Sequence, residues 1–308
     1  MLVTDARVIW NSLKGIACIY KPADVGVRQI RQTIIYKICS ELNQMECRPP
    51  IERVEIEGET TGELTVRVGT NLADDVKVIG PRYHQDDFVC SWSNYLGRRT
   101  SGVLLFGLRG GTNISKYIRE NKPTRAYRIT GCLGQATDTA WKDGRVVERT
   151  TWKHVKYVHM ESLLSAMQAA HQRKMFELCG VNMQSQLAYE LAAKGPIRPA
   201  DSKIPMIYGI KCVEFEPPNF TLEIHCMNEY ESYLCHLIHE IGMKLHSSAH
   251  CTGIRCLRHG CFTVDDALLR KHWTLQGIVS NVEHCKQLLK KNSFLVKQKE
   301  AALQQIRG

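Results

Sequence analysis

Leu96-Gly97-Arg98-Arg99-Thr100-Ser101-Gly102-Val103-Leu104-Leu105 is the stretch on which the reading of this chain turns. Its second half opens an apolar run, Val103 to Leu108, of strand length, which ends at the turn signal Arg109-Gly110-Gly111-Thr112. Its first half carries two arginines and a hydroxyl pair on the loop that plunges into that strand. Small residues at Thr100, Ser101 and Gly102 would let another chain or a ligand come close to the backbone. Upstream, Cys90-Ser91-Trp92-Ser93-Asn94-Tyr95 is a polar, aromatic lead-in. On composition alone, an ordinary loop before a core strand accounts for all of this, because arginines and glycines are common in loops.

Upstream of that loop, Gly15 to Tyr20 reads as a buried strand, closed by a turn at Lys21-Pro22. Residues 27–43 carry Val27, Ile30, Ile34, Ile38 and Leu42 at helical spacing. Residues 47–62, rich in Pro, Glu and Gly, read as a loop or insertion. Glu63–Val68 and Val76–Ile79 alternate and predict two short strands. Downstream, Thr112–Arg119 is weakly helical, and Thr124 to Ile129 begins an alternating strand. A turn follows at 134–139, then the hairpin signal Asp143-Gly144. Helices are predicted over 161–171 and 182–194, the second stopped by Gly195-Pro196. Ile207–Phe215 and Phe220–Cys226 are a strand pair, and Tyr233–Gly242 is a helix. Beyond Trp273 the chain turns helical and basic, and residues 270–308 carry Arg270, Lys271, Lys286, Lys290, Lys291, Lys297, Lys299 and Arg307 against Glu283 and Glu300. The domain expectation is therefore 1–275 as one folded domain and 276–308 as a basic helical tail.

The 308 residues are 44% apolar, and Lys plus Arg exceeds Asp plus Glu by ten, giving a pI near 9.0. That balance favours a polyanion, nucleic acid before membrane. No apolar run approaches the roughly 18–20 residues of a membrane span. The 13 cysteines are odd in number and unevenly spread, which suggests a reducing compartment. Met1 to Lys14 has no signal-peptide core and makes a poor mitochondrial presequence.

The order of these motifs resembles the TruB family of RNA pseudouridine synthases over about residues 15–270. The opening loop is similar to the family pattern Leu-Asp-x-x-(Ala/Thr)-(Ser/Thr)-Gly-Val-Leu, matched at Leu96, Thr100, Ser101, Gly102, Val103 and Leu104. The family histidine falls at Asn94 and the catalytic aspartate at Gly97. The strand, Lys21-Pro22 and helix resemble the first motif. Arg125 and Tyr127 stand at a Lys-x-Tyr unit whose tyrosine stacks on the target base. Ala188 to Ala192 resembles a family helix. Tyr233 matches a tyrosine of the uridine pocket, and the arginine that pairs with the aspartate falls at Cys235. Within 249–267, Ile254 stands at the pocket leucine, Arg255 matches and Cys256 replaces a second arginine. The likeness is greatest to the mitochondrial eukaryotic branch.

The resemblance implies an α+β, mixed α/β fold: a largely antiparallel sheet flanked by helices. It implies structured RNA (tRNA, mRNA or rRNA) as partner, no membrane, no cofactor and no metal. Mitochondrial RNA-processing proteins are further partners it implies, with mitochondria as the location and cytoplasm or nucleus as alternatives. A pseudouridine synthase breaks the C1′–N1 bond of a uridine drawn out of its stack and rejoins the base through C5, and turning the base out costs a few kcal/mol. A carboxylate must act at the sugar. Gly97 has none, and Cys235 has lost the cation that would orient one. Losing both avoids leaving an unpaired buried arginine. The expected chain keeps an RNA pocket of Lys21, Asn94, Arg98, Arg99, Arg125, Tyr127, Tyr233, Ile254 and Arg255, and is impaired in isomerisation. The alternative is an active synthase with a carboxylate from elsewhere, Asp86, Asp87 or Asp138. A zinc site built from Cys235, His236, His239, His250, Cys251, Cys256, His259 and Cys261 is a weaker alternative, since the Cys-x4-Cys-x4-Cys spacing is wider than structural zinc sites use.

Overall fold

Val103 to Leu108 forms the spine of a strand, Thr100–Leu108, whose residues from Gly102 to Leu108 are all buried. A computed structural model describes residues 5–45, 51–59, 61–193, 197 and 203–293. The predicted helix stop at Gly195-Pro196 and the tail from 294 onward lie outside them. In chain order the strands are β1 Gly15–Lys21, β2 Glu52–Glu57, β3 Thr65–Thr70, β4 Cys90–Trp92, β5 Thr100–Leu108, β6 Arg125–Leu133, β7 Gln135–Thr137, β8 Val146–Arg149, β9 Met206–Glu216, β10 Asn219–Met227, β11 Ala249–His259 and β12 Phe262–Thr263. The helices are α1 Ala6–Ser12, α2 Val27–Asn43, α3 Val76–Ile79, α4 Thr112–Glu120, α5 Tyr157–Leu178, α6 Gln186–Ala193, α7 Glu231–Lys244 and α8 Leu275–Lys291.

The main sheet runs β1-β5-β11-β6-β10-β9, with β4 also on β5 and β12 on β11. Every pairing in it is antiparallel except β5 with β11. The chain therefore has the mixed α/β, largely antiparallel fold that the resemblance implies. Along one edge β5 is shared, with β11 beside Thr100–Gly102 and β4 beside Phe106–Leu108. The fork between them holds the loop 93–99. The close approach that Gly102 permits is made by β11: a β-carbon there would lie 2.7 Å from the Cys256 backbone nitrogen, and its φ is +114°.

Helices cover the sheet. The stripe Val27, Ile30, Ile34, Ile38 and Leu42 of α2 is buried, as the spacing required. On α8, Leu275, Ile278, Val282, Cys285 and Leu289 are buried, and the Asn281 amide oxygen accepts from the Cys18 backbone at 2.8 Å on β1. α7 packs against β11, where Gly242 lets the helix end approach Ala249. No helix among the described residues is long and apolar enough to cross a membrane.

Two local readings differ from the pattern. Residues 52–57, expected in a loop, form β2 and pair with β3 as an exposed hairpin in which Val54 faces Val68 and Ile56 faces Val66. Val76–Ile79 is one helical turn, not a strand, because the Asp75 carboxylate accepts from the Lys77 N–H at 2.8 Å and starts a helix there.

Candidate active site

Lys21 ends β1 opposite Gly102, and its side chain is fully buried. Its ammonium donates to the carbonyls of Thr100 at 2.7 Å, Arg98 at 3.0 Å and Pro22 at 3.1 Å. Three carbonyls thus take the place of water around its three donors. Burial pulls its pKa down to about 8, partly opposed by the negative charge of Glu231 and then Asp24. The loop carrying the arginines is wound around a buried cation.

Thr100 joins that cation to an acid. Its carbonyl accepts from Lys21, while its N–H and hydroxyl donate to Glu231 Oε2 at 2.8 and 2.7 Å. Glu231 is the first residue of α7, where unpaired N–H groups and the positive end of the helix dipole favour a carboxylate. Gly97 supplies the room. A β-carbon on it would lie 2.6 Å from Glu231 Oε1, and closer still to Cδ and Oε2. Its φ lies outside the left-handed region, so space and not backbone freedom is what this glycine provides. The carboxylate of Glu231 stands where a side chain on residue 97 would begin.

Cys235 lies one helical turn beyond Glu231, on the same face of α7. It is buried beside the Cys251 thiol on β11, which donates to the Gly253 carbonyl at 3.7 Å and whose pKa is pushed up by burial and by the Cys235 sulfur. Arg99 acts electrostatically on Cys235 and stacks its guanidinium over Trp141 at 5.3 Å. Arg98 is exposed, with Nε donating to the Asp24 carbonyl at 3.2 Å. Ile254 is buried beside Thr100 across the parallel pairing. Arg255 is exposed next to it, over the Tyr20 ring at 5.5 Å. Asn94 is committed to β5: its amide nitrogen donates to the Val103 carbonyl and its oxygen accepts from the Leu105 N–H, both at 3.0 Å.

A second cluster lies two residues before Glu231. Glu229 Oε1 accepts from Tyr127 and from Arg125, each at 2.7 Å. Tyr127 is 2% exposed, and burial pushes its hydroxyl pKa up, with Glu229 adding to the rise. The ring that the resemblance assigns to base stacking is thus packed in the core with its hydroxyl tied down. Tyr233 is half-buried 5.9 Å from the Tyr230 ring, and burial raises its pKa too.

The structure brings Lys21, Gly97 and Arg98 together with Thr100 and Glu231. Arg99 and Cys235 adjoin them, and Arg125 and Tyr127 form the neighbouring cluster on Glu229. Glu231, Glu229 and Trp141 were absent from the sequence-based site. The acids named from sequence lie elsewhere: Asp86 and Asp87 are exposed, Asp87 facing Cys39 of α2, and Asp138 accepts from the Arg145 N–H at 3.0 Å in its hairpin. Among the described residues, no three His, Cys, Asp or Glu side chains converge to hold a metal ion.

Residues 92–231, which include the loop and the first residue of α7, match the model of the TruB family pseudouridylate synthase N-terminal domain. The chain is 37% identical over 286 residues to the mitochondrial pseudouridylate synthase TRUB2 of Xenopus tropicalis, covering 90% of this chain and 87% of that one. It is 34% identical over 275 residues to the human protein of the same name, covering 87% and 82%. Among solved structures, a Cbf5-Nop10-Gar1 complex aligns at 15% identity with a TM-score of 0.46, over 86% of this chain and 55% of that one. The chain belongs to the TruB family of pseudouridine synthases.

Proposed function

We infer that this chain binds a structured RNA with one uridine turned out of its helix, and that the uridine is received at the Lys21–Thr100–Glu231 unit. The observation that carries this reading is a half-buried carboxylate held at Thr100 by the loop that bears Arg98 and Arg99, with Arg255 opposite Ser101 on the paired strand β11. Arg98 and Arg255 are exposed and Arg99 is half-exposed, while the one cation closest to the acid is sealed beneath the loop. Exposed arginines suit phosphates, and the aromatic rings beneath Arg99 and Arg255 hold the guanidiniums flat. The net charge of +10 agrees with a polyanionic partner. The synthase-type domain expected over 1–275 extends in this reading through α8, whose apolar face packs on β1, and the basic residues along and beyond that helix add phosphate contacts.

The family membership and the mitochondrial designation of its relatives support a mitochondrial RNA, a tRNA, mRNA or rRNA, as the partner. The family aspartate and its arginine are replaced by Gly97 and Cys235, so isomerisation through those two positions is closed to this chain. Any turnover draws its carboxylate from another residue.

Binding of an unmodified tRNA transcript across a salt series tests the reading. Arg98→Ala with Arg99→Ala should weaken binding and reduce the salt slope by about one unit for each phosphate no longer neutralised. Unchanged affinity and slope would contradict the binding face.

A further inference from the structure

We propose that Glu231 is the carboxylate that acts on the uridine ribose, taking over from α7 the work for which Gly97 has no side chain. The inference rests on the binding reading above and adds the chemistry to it. Glu231 occupies the space that a side chain on residue 97 would need. The acid is held there from one side only. Oε2 takes both donors of Thr100, and among the described residues Oε1 accepts no hydrogen bond. A half-buried carboxylate with one oxygen fixed and the other free is oriented yet available, as a catalytic base must be.

The charge pair has moved along with the acid. Position 235, one turn into α7, carries no cation here but a small buried thiol. Lys21 provides the cation in its place. It reaches the acid through Thr100, whose carbonyl takes the ammonium while its N–H and hydroxyl hold the carboxylate. The first turn of α7 adds its dipole. Gly97, Cys235, Glu231 and Lys21 are then one rearrangement: acid from helix, cation from strand, loop emptied to admit them.

The chemistry balances without oxidant or reductant. Glu231 takes the C2′ proton, the C2′–H electron pair becomes the C1′=C2′ double bond, and the C1′–N1 pair leaves with the base. The turned base attacks C1′ through C5 while Glu231 returns the proton to C2′. C5 then gives up its hydrogen as a proton and N1 takes one, leaving pseudouridine.

The test uses the full chain in excess over unmodified tRNA and mitochondrial RNA transcripts carrying tritium at uridine C5. Tritium release and RNA affinity are measured together. Wild type should release tritium. Glu231→Gln, which keeps an oxygen to accept from Thr100, should slow release at least 100-fold with affinity within threefold and an unchanged melting temperature. Glu231→Asp should fall between them. Release from Glu231→Gln as fast as from wild type would overturn the assignment. So would wild-type protein that binds the transcripts and leaves their tritium in place. Failure to bind any transcript would instead bring down the binding reading beneath it.

Discussion

Glu231 and Gly97 compete for one volume: the acid at the start of α7 fills the place where a β-carbon on the glycine would stand, 2.6 Å from Oε1. The atoms in conflict are the tip of a side chain, so an added methyl at 97 would displace Glu231 and leave the backbone in place. Displacement forfeits the two hydrogen bonds from Thr100. Bonds of this kind to a charged group contribute about 1.5–3 kcal/mol each when buried, and less at a half-open site. Gly97→Ala should cost about 1–2 kcal/mol in urea unfolding. Combined with Glu231→Ala, which empties the space, it should cost almost nothing more. Additive losses in that double-mutant cycle would show that the two residues do not share the volume.

Lys21 carries a pH signature. Its ammonium titrates near 8 in the fold, below the ordinary 10.5 that the unfolded chain would show. The folded state therefore releases its proton first. Stability is lowest where the lysine is charged in both states, below pH 8, and rises between about pH 8 and 10.5. One pKa unit corresponds to about 1.4 kcal/mol, so the full shift would be worth about 3.5 kcal/mol, and solvent screening reduces the contribution to the order of 2–3 kcal/mol. Unfolding free energy of wild type minus that of Lys21→Met should rise over this window. Taking the difference cancels the cysteines and tyrosines that also titrate there. A flat difference would mean the ammonium is better solvated than its burial indicates.

Tyr127→Phe would be silent if only the ring mattered. In the fold its hydroxyl is one of two donors to Glu229 Oε1. Removing the hydroxyl takes away one of those two donors and leaves Arg125 on Oε1. Tyr127→Phe should lower stability by about 1–3 kcal/mol, the cost of weakening a buried acceptor. Glu229→Gln in the same background should recover part of it. Thermal unfolding of the four proteins decides this, and a Phe variant as stable as wild type would remove Glu229 from the account.

The three stretches that meet at the site were legible in the sequence, because each had a local signature. Lys21-Pro22 closed an apolar strand, the loop 96–102 opened another, and the 3–4 spacing of α2 and α7 marked helices. The paired departures at Gly97 and Cys235 could be seen from their places in the motifs. Their meaning could not, since the acid that answers them lies 131 positions from Thr100 and arrives only when α7 packs across the sheet. A trace of it was present: Glu231 precedes Cys235 by one helical turn and so shares its face. Asp86 and Asp87, nearer in sequence, are exposed in the fold, and Asp87 faces Cys39 of α2, because proximity along a loop does not set where a side chain ends up. Gly102 shows the reverse. Its smallness signalled a close approach, but the visitor is strand β11 and not a ligand.

The relocated carboxylate is tested most directly by one methyl group. Gly97→Ala adds no charge, removes no functional group and leaves Arg98, Arg99 and Arg255 intact, so RNA affinity should stay within about threefold. Single-turnover pseudouridine formation should fall at least about 30-fold, a change of roughly 2 kcal/mol in the barrier, because Glu231 is pushed off Thr100 and out of position. Pseudouridine formed by Gly97→Ala at the wild-type rate would contradict the claim, for the position of Glu231 beside Gly97 would then have no bearing on the chemistry.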